Sequence, residues 1–136
     1  MKLKSIKYKS GYKYQLNEVY SIDTGIFVSK NHHGEFLIIK SEGTLIISKG
    51  YAWDGASGPA IDTKNFMRAS LVHDAIYQLM RAGVIDKSHR EKADKLMKKM
   101  CKEDGMNSVR AWLCYQAVRK FGGSAINKKK AVKVAP

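Results

Sequence analysis

No apolar run in this 136-residue chain approaches the roughly 20 residues needed to cross a bilayer. The N-terminus, Met1-Lys2-Leu3-Lys4-Ser5-Ile6-Lys7, lacks the apolar core and small-residue cleavage site of a signal peptide. Cytoplasmic synthesis and residence are therefore expected. Cysteine is scarce. Cys101 and Cys114 have neither metal-ligand spacing nor a disulfide framework, and they read as buried free thiols. The scarcest charge is negative: 12 acidic residues face 25 basic ones, for a net of +13. Residues 1–62 are nearly balanced, with 8 basic against 6 acidic, whereas residues 63–136 hold 17 against 6. Such a field favours an anionic partner, whether phospholipid membrane, nucleic acid or an acidic protein surface. No internal repeat is present.

What remains is ordinary for a globular protein, and the length suits one domain with an adequate core. The expected fold class is α+β, an N-terminal antiparallel β-meander packed against a C-terminal three-helix unit. Residues 1–126 would form that domain, β-rich over 7–53 and helical over 63–123. Residues 127–136 would be a disordered basic tail. Period-two alternation marks strands at Tyr12-Tyr14-Leu16, Tyr20-Ile22 and Ile26-Val28. Denser runs follow at Phe36–Ile39 and Leu45–Ile47. Asn31-His32-His33-Gly34 and Ser41-Glu42-Gly43 supply turn chemistry. His32 and His33, adjacent at a turn tip, would diverge into solvent rather than share a metal.

In the second half, Phe66, Ala69, His73, Ile76, Tyr77 and Met80 trace one helical face, and Met67, Leu71, Ala75 and Leu79 another. That helix should be central and end at Gly83. Ser88 to Glu91 has capping-box form and opens a second helix with Ala93, Leu96, Met97 and Met100 inward. Its outward face would carry Lys95, Lys98, Lys99 and Lys102, the candidate contact for an anionic partner. Asn107 or Ser108 opens a third helix with Val109, Trp112, Leu113, Ala117 and Phe121 inward, closed by Gly122-Gly123.

The chemistry concentrates between Trp53 and Asp94. On a helix His73 and Tyr77 stand one turn apart on one face, while Asp74 points about 100° away. Antiparallel pairing of the first two helices would bring Asp94 to His73. A carboxylate on one imidazole nitrogen fixes the tautomer and leaves the other free to take a proton from water. The Gly-rich turn from Trp53 to Pro59 can aim carbonyls and the Asp54 carboxylate at a hard cation. Asp74 would complete a shell of oxygens suited to calcium rather than zinc. A purely structural alternative is a buried network of Asp74, Asp94, Arg90, Arg119 and Tyr115, with His73 a satisfied core histidine. Ser57 nearly matches a nucleophile elbow, but Pro59 stands where the second glycine belongs, so Ser57 is assigned a supporting role.

Leu71-Val72-His73-Asp74-Ala75-Ile76-Tyr77, followed by Asp94, resembles the His-Asp-x-x-Tyr helix and downstream Asp of phospholipase A-two enzymes. That resemblance implies His73 as general base, Asp94 as its orienting partner and Tyr77 as a brace. It also implies calcium bound by Asp74 with Asp54 and Gly55 of the preceding turn. The sequence lacks that family's disulfide clamp. A longer stretch, from about residue 35 to 123, is similar to a phage and bacterial domain family of unknown function. Its carriers are Gly50–Ser57, His73-Asp74, Arg90 with Asp94, and Tyr115–Gly122. That similarity implies a phage origin and brings no activity. The expected function is calcium-dependent hydrolysis of a phospholipid ester. The alternative is a non-enzymatic virion, tail or assembly protein that docks on nucleic acid or other phage structural proteins through its lysine face.

Overall fold

The structure of the protein is a computed structural model that describes residues 8–9, 14–53 and 64–127. Among the described residues, seven short strands precede three helices, an α+β order. The chain divides into two compact units, one holding the strands and one the helices.

The strands form two antiparallel sheets rather than one meander. In the first, β1 (Tyr8–Lys9) pairs with β2 (Tyr14–Leu16), which pairs with β7 (Ala52–Trp53). In the second, β3 (Tyr20–Asp23), β4 (His32–His33), β5 (Leu37–Ile39) and β6 (Thr44–Ile47) lie in the order β3-β6-β5-β4. The first of these strands thus lies beside the last, a Greek-key order taken in the reverse chain direction. Alternate residues face inward, so Tyr20, Ile22, Leu37, Ile39, Leu45 and Ile47 are buried.

Two expectations are corrected here. Ile26 and Val28 do not form a strand, because side chains turn the backbone after β3. Asp23 Oδ1 accepts from the Gly25 amide at 3.1 Å, and Thr24 Oγ1 accepts from the Ile26 amide at 3.0 Å. His32 and His33 are in strand β4, opposite Ile39 and Ile38, and the reversal falls at Gly34, whose amide donates to the Leu37 carbonyl. The β5–β6 turn is where the sequence places it. Gly43 there adopts φ +104°, a backbone that favours glycine.

Helix α1 spans Lys64–Arg81 and buries every residue from Phe66 to His73. It closes in a Schellman motif: the Gly83 amide donates to Met80 O and the Val84 amide to Leu79 O, with Gly83 at φ +78°. A 3-10 turn, Lys87–His89, leads into α2 (Arg90–Glu103). Asp86 caps that turn, its carboxylate accepting from the Ser88 amide, and α2 follows from His89 without the expected side-chain cap from Ser88. Helix α2 buries Ala93, Asp94, Met97, Met100 and Cys101 against its neighbours.

Helix α3 (Ser108–Asn127) departs most from expectation. Asn107 caps it, its Oδ1 accepting from the Arg110 amide at 2.8 Å. The helix runs through Gly122-Gly123 instead of stopping there. Its inward face is Ala111, Cys114, Gly122 and Ile126, while Val109, Trp112, Leu113 and Phe121 face outward. The cause is close packing. A Cβ on Gly122 would sit 2.6 Å from the Tyr77 hydroxyl, so the glycine admits α1's tyrosine where a larger residue would exclude it.

Candidate functional site

The three helices meet around Asp94, a carboxylate with no solvent exposure. An isolated buried carboxylate is costly, and four donors from all three helices surround this one. His73 Nε2 lies 2.7 Å from Oδ1, and the Tyr77 hydroxyl donates to the same oxygen at 2.6 Å. Arg119 Nη1 donates to Oδ2 at 2.9 Å, and Arg90 Nε stands 4.0 Å from it. Burial disfavours the charged form of Asp94, but hydrogen bonds from His73, Tyr77 and Arg119 outweigh it. The carboxyl is therefore held below its ordinary range. The Tyr77 hydroxyl moves the other way. Burial first, then the adjacent Asp94 charge, pushes it well above its usual value, so it remains a donor. Arg119 is likewise raised: desolvation opposes the rise, but its hydrogen bond to Asp94 and the surrounding negative charge, that of Asp94 foremost, together outweigh it.

Helical spacing explains why these side chains meet. His73 and Tyr77 are one turn apart on α1, with ring centroids 4.1 Å from each other, and both reach the facing α2. Arg90 opens α2 and ties the centre to α3. Its Nε donates to the Tyr77 hydroxyl at 3.2 Å, and its Nη2 donates to the carbonyls of Val118 and Arg119 at 2.8 and 2.6 Å.

A carboxylate only accepts, so Nε2 of a neutral His73 carries the hydrogen and Nδ1 keeps its lone pair. Among the described residues no hydrogen bond reaches Nδ1, and no buried side-chain nitrogen or oxygen lacks a partner. Nδ1 is therefore the polar atom at which the ring, with a 9 % exposed side chain, meets solvent. The arrangement can hold one imidazole in a single orientation and accept a proton at its open nitrogen.

The remaining residues named from sequence fall into three groups. Tyr115 is half-buried beneath Lys98, whose ammonium lies 5.1 Å from the ring centroid, and none of the hydrogen bonds to Asp94 comes from it. Lys95, Lys99 and Lys102 are exposed, and Lys95 pairs with Glu91 at 3.6 Å. Lys98 is half-buried, so the basic face is less uniform than its spacing suggests. Asp74 is half-buried on α1, whereas Asp54, Gly55 and Ser57 lie outside the described residues. Among the described residues, no group of three His, Cys, Asp or Glu side chains is placed to hold a metal.

Sequence reasoning missed one feature of the helical unit. Arg68, with a 3 % exposed side chain, bonds Asp104 through Nε at 2.9 Å and Nη2 at 3.0 Å, and Glu103 through Nη2 at 2.8 Å. It fastens α1 to the end of α2. An arginine inside the otherwise apolar run Phe66–Val72 was the available signal.

These observations define an α+β protein whose helical unit encloses a His-Asp-Tyr-Arg centre. Residues 33–118 match the family described as protein of unknown function (DUF1353), and the chain belongs to that family. Searches of curated proteins and of solved structures found no match.

Proposed function

We propose that the protein is a small ester hydrolase with His73 as general base, phospholipid as substrate class and calcium as cofactor. The observation that carries this reading is the 2.7 Å contact of His73 Nε2 with a fully buried carboxylate, combined with an open Nδ1. Nδ1 takes a proton from water as the water oxygen attacks the ester carbonyl. The resulting imidazolium is stabilised by Asp94 and returns the proton to the departing alcohol oxygen. Tyr77 and Arg119 keep Asp94 ionised and in place through that cycle. Asp74 is the described residue that would hold calcium, with Asp54 and the Gly55 carbonyl as its expected companions. When bound, the ion would supply positive charge to the carbonyl oxygen as it becomes negative.

The test is fatty-acid release from mixed phospholipid vesicles with millimolar calcium. Wild-type protein should release fatty acid, while His73→Ala and Asp74→Asn should not. No release by folded wild-type protein would refute the reading.

A second reading is favoured by the saturation of Asp94, which suits a purely structural node as well as a catalytic one. The protein would then be a non-enzymatic virion or assembly component, docking on nucleic acid or an acidic partner through Lys95, Lys99 and Lys102. DNA binding that weakens steeply with salt, without any ester cleavage, would support it.

A further inference from the structure

We infer that the outward face of α3 is a docking surface for an anionic phospholipid bilayer. Val109, Trp112, Leu113 and Phe121 are 70, 51, 54 and 59 % exposed, and no other large apolar residues of α3 are exposed to that degree. They lie along about 18 Å of helix at the 1.5 Å rise per residue. A helix face turned to water is ordinarily polar, so four such side chains on one element call for a covering partner.

Charge narrows the choice of partner. Residues Ser108–Asn127 contain no Asp or Glu, and Lys120 lies within the apolar arc with its ammonium 5.5 Å from the Phe121 centroid. Elsewhere on the helical unit, α2 carries the exposed Lys95, Lys99 and Lys102. A second copy of the chain would bring +13 against +13, which works against self-association. Nucleic acid would match the lysines but offer little to four apolar side chains. An anionic bilayer matches both, with headgroups for the lysines and the acyl boundary for the tryptophan, phenylalanine and aliphatics. The choice of lipid over an acidic protein groove rests on phospholipid being the substrate class. Geometry gives that choice a further use. Arg119, half-buried two turns after Trp112 on the same helix, reaches Asp94 at 2.9 Å, so the docking face and the catalytic centre belong to one element.

Tryptophan fluorescence tests the inference directly. The chain has two tryptophans: Trp53 is 4 % exposed and Trp112 is 51 % exposed, so an environmental change at the surface is read through Trp112. Adding phosphatidylglycerol vesicles to the full-length protein should shift emission to the blue, and phosphatidylcholine vesicles should do so far less. Trp112→Phe should lose the shift. Leu113→Ser and Phe121→Ser, each with unchanged circular dichroism, should partition roughly tenfold more weakly, because each removes apolar area that the bilayer would bury. Three results would overturn the inference: no blue shift with either vesicle, binding indifferent to both serine changes, or a shift produced by concentrating the protein or adding an acidic protein but not by vesicles. Vesicle binding without fatty-acid release would support the docking face and sink the hydrolase reading. Cleavage of a monomeric short-chain ester without vesicle binding would do the reverse.

Discussion

Adjacent glycines on α3 should respond to the same substitution with opposite sign. A helix interior gains about 1 kcal/mol when Ala replaces Gly, because less backbone entropy is lost on folding. At Gly123 little opposes that gain: an added Cβ would have Arg90 Nη1 as its nearest neighbour at 3.4 Å, an ordinary contact. Gly123→Ala should therefore be more stable than wild type by about 0.5–1 kcal/mol. At Gly122 the added Cβ would meet the Tyr77 hydroxyl at 2.6 Å and ring carbons at 3.0 and 3.2 Å. Tyr77 is 4 % exposed and bound to Asp94, so it has little room to yield. Overpacking of this kind costs about 1–3 kcal/mol, with roughly 1 kcal/mol more where the Tyr77–Asp94 bond is lost. After the helix gain is subtracted, Gly122→Ala should be less stable than wild type by about 1–3 kcal/mol. Tyr77→Phe removes the closest atom, so the alanine penalty should shrink in that background. Urea unfolding of the four variants, including the double variant, measures all of this. A Gly122→Ala protein as stable as Gly123→Ala would refute the close approach of α3 to Tyr77.

The centre should also be visible in acid. Asp94 titrates below its ordinary range when folded, so its stabilising contribution is complete above the unfolded value of about 3.9. The contribution is lost as pH falls through the lower folded value. Asp94→Asn should flatten this acid limb and cost about 3–5 kcal/mol near neutral pH, as measured by urea unfolding at a series of pH values. Unchanged acid sensitivity would contradict it. Burial pushes the Cys101 thiol up to about 12, and Cys114 is raised by the same cause. A thiol reagent should label neither in the native protein near neutral pH and both in urea, and rapid native labelling would contradict their burial.

The α+β order, α1 and α2 were legible in the sequence because apolar spacing there coincides with burial and Gly83 marks the end of α1. The approach of His73 to Asp94 was legible for the same reason, since a short link between two amphipathic helices leaves few ways to pair them. The inward face of α3 was not. Periodicity selects Val109, Trp112, Leu113 and Phe121, but the helix turns them outward and packs Ala111, Cys114 and Gly122 inward. Gly122 faces inward because Tyr77 needs the space, and a pattern weighted by hydrophobicity cannot register that need. Gly122-Gly123 reads as a stop in the sequence for the same reason, yet the helix runs through both. In the strand unit, Ile26 is wholly buried without being in a strand, since the turn at Asp23–Gly25 redirects it. Burial and extended pairing are separate there, and alternation alone does not separate them.

The proposed mechanism needs one nitrogen of His73 to be free, and that nitrogen is Nδ1. A nitrogen-15 NMR spectrum of the His73 imidazole, assigned by comparison with His73→Gln, reads this at a pH where the ring is neutral. Nε2 should be protonated and coupled to Asp94, and Nδ1 unprotonated. In Asp94→Asn that preference should weaken. A proton on Nδ1 in the wild-type protein would leave no base facing the substrate and would contradict the proposed mechanism.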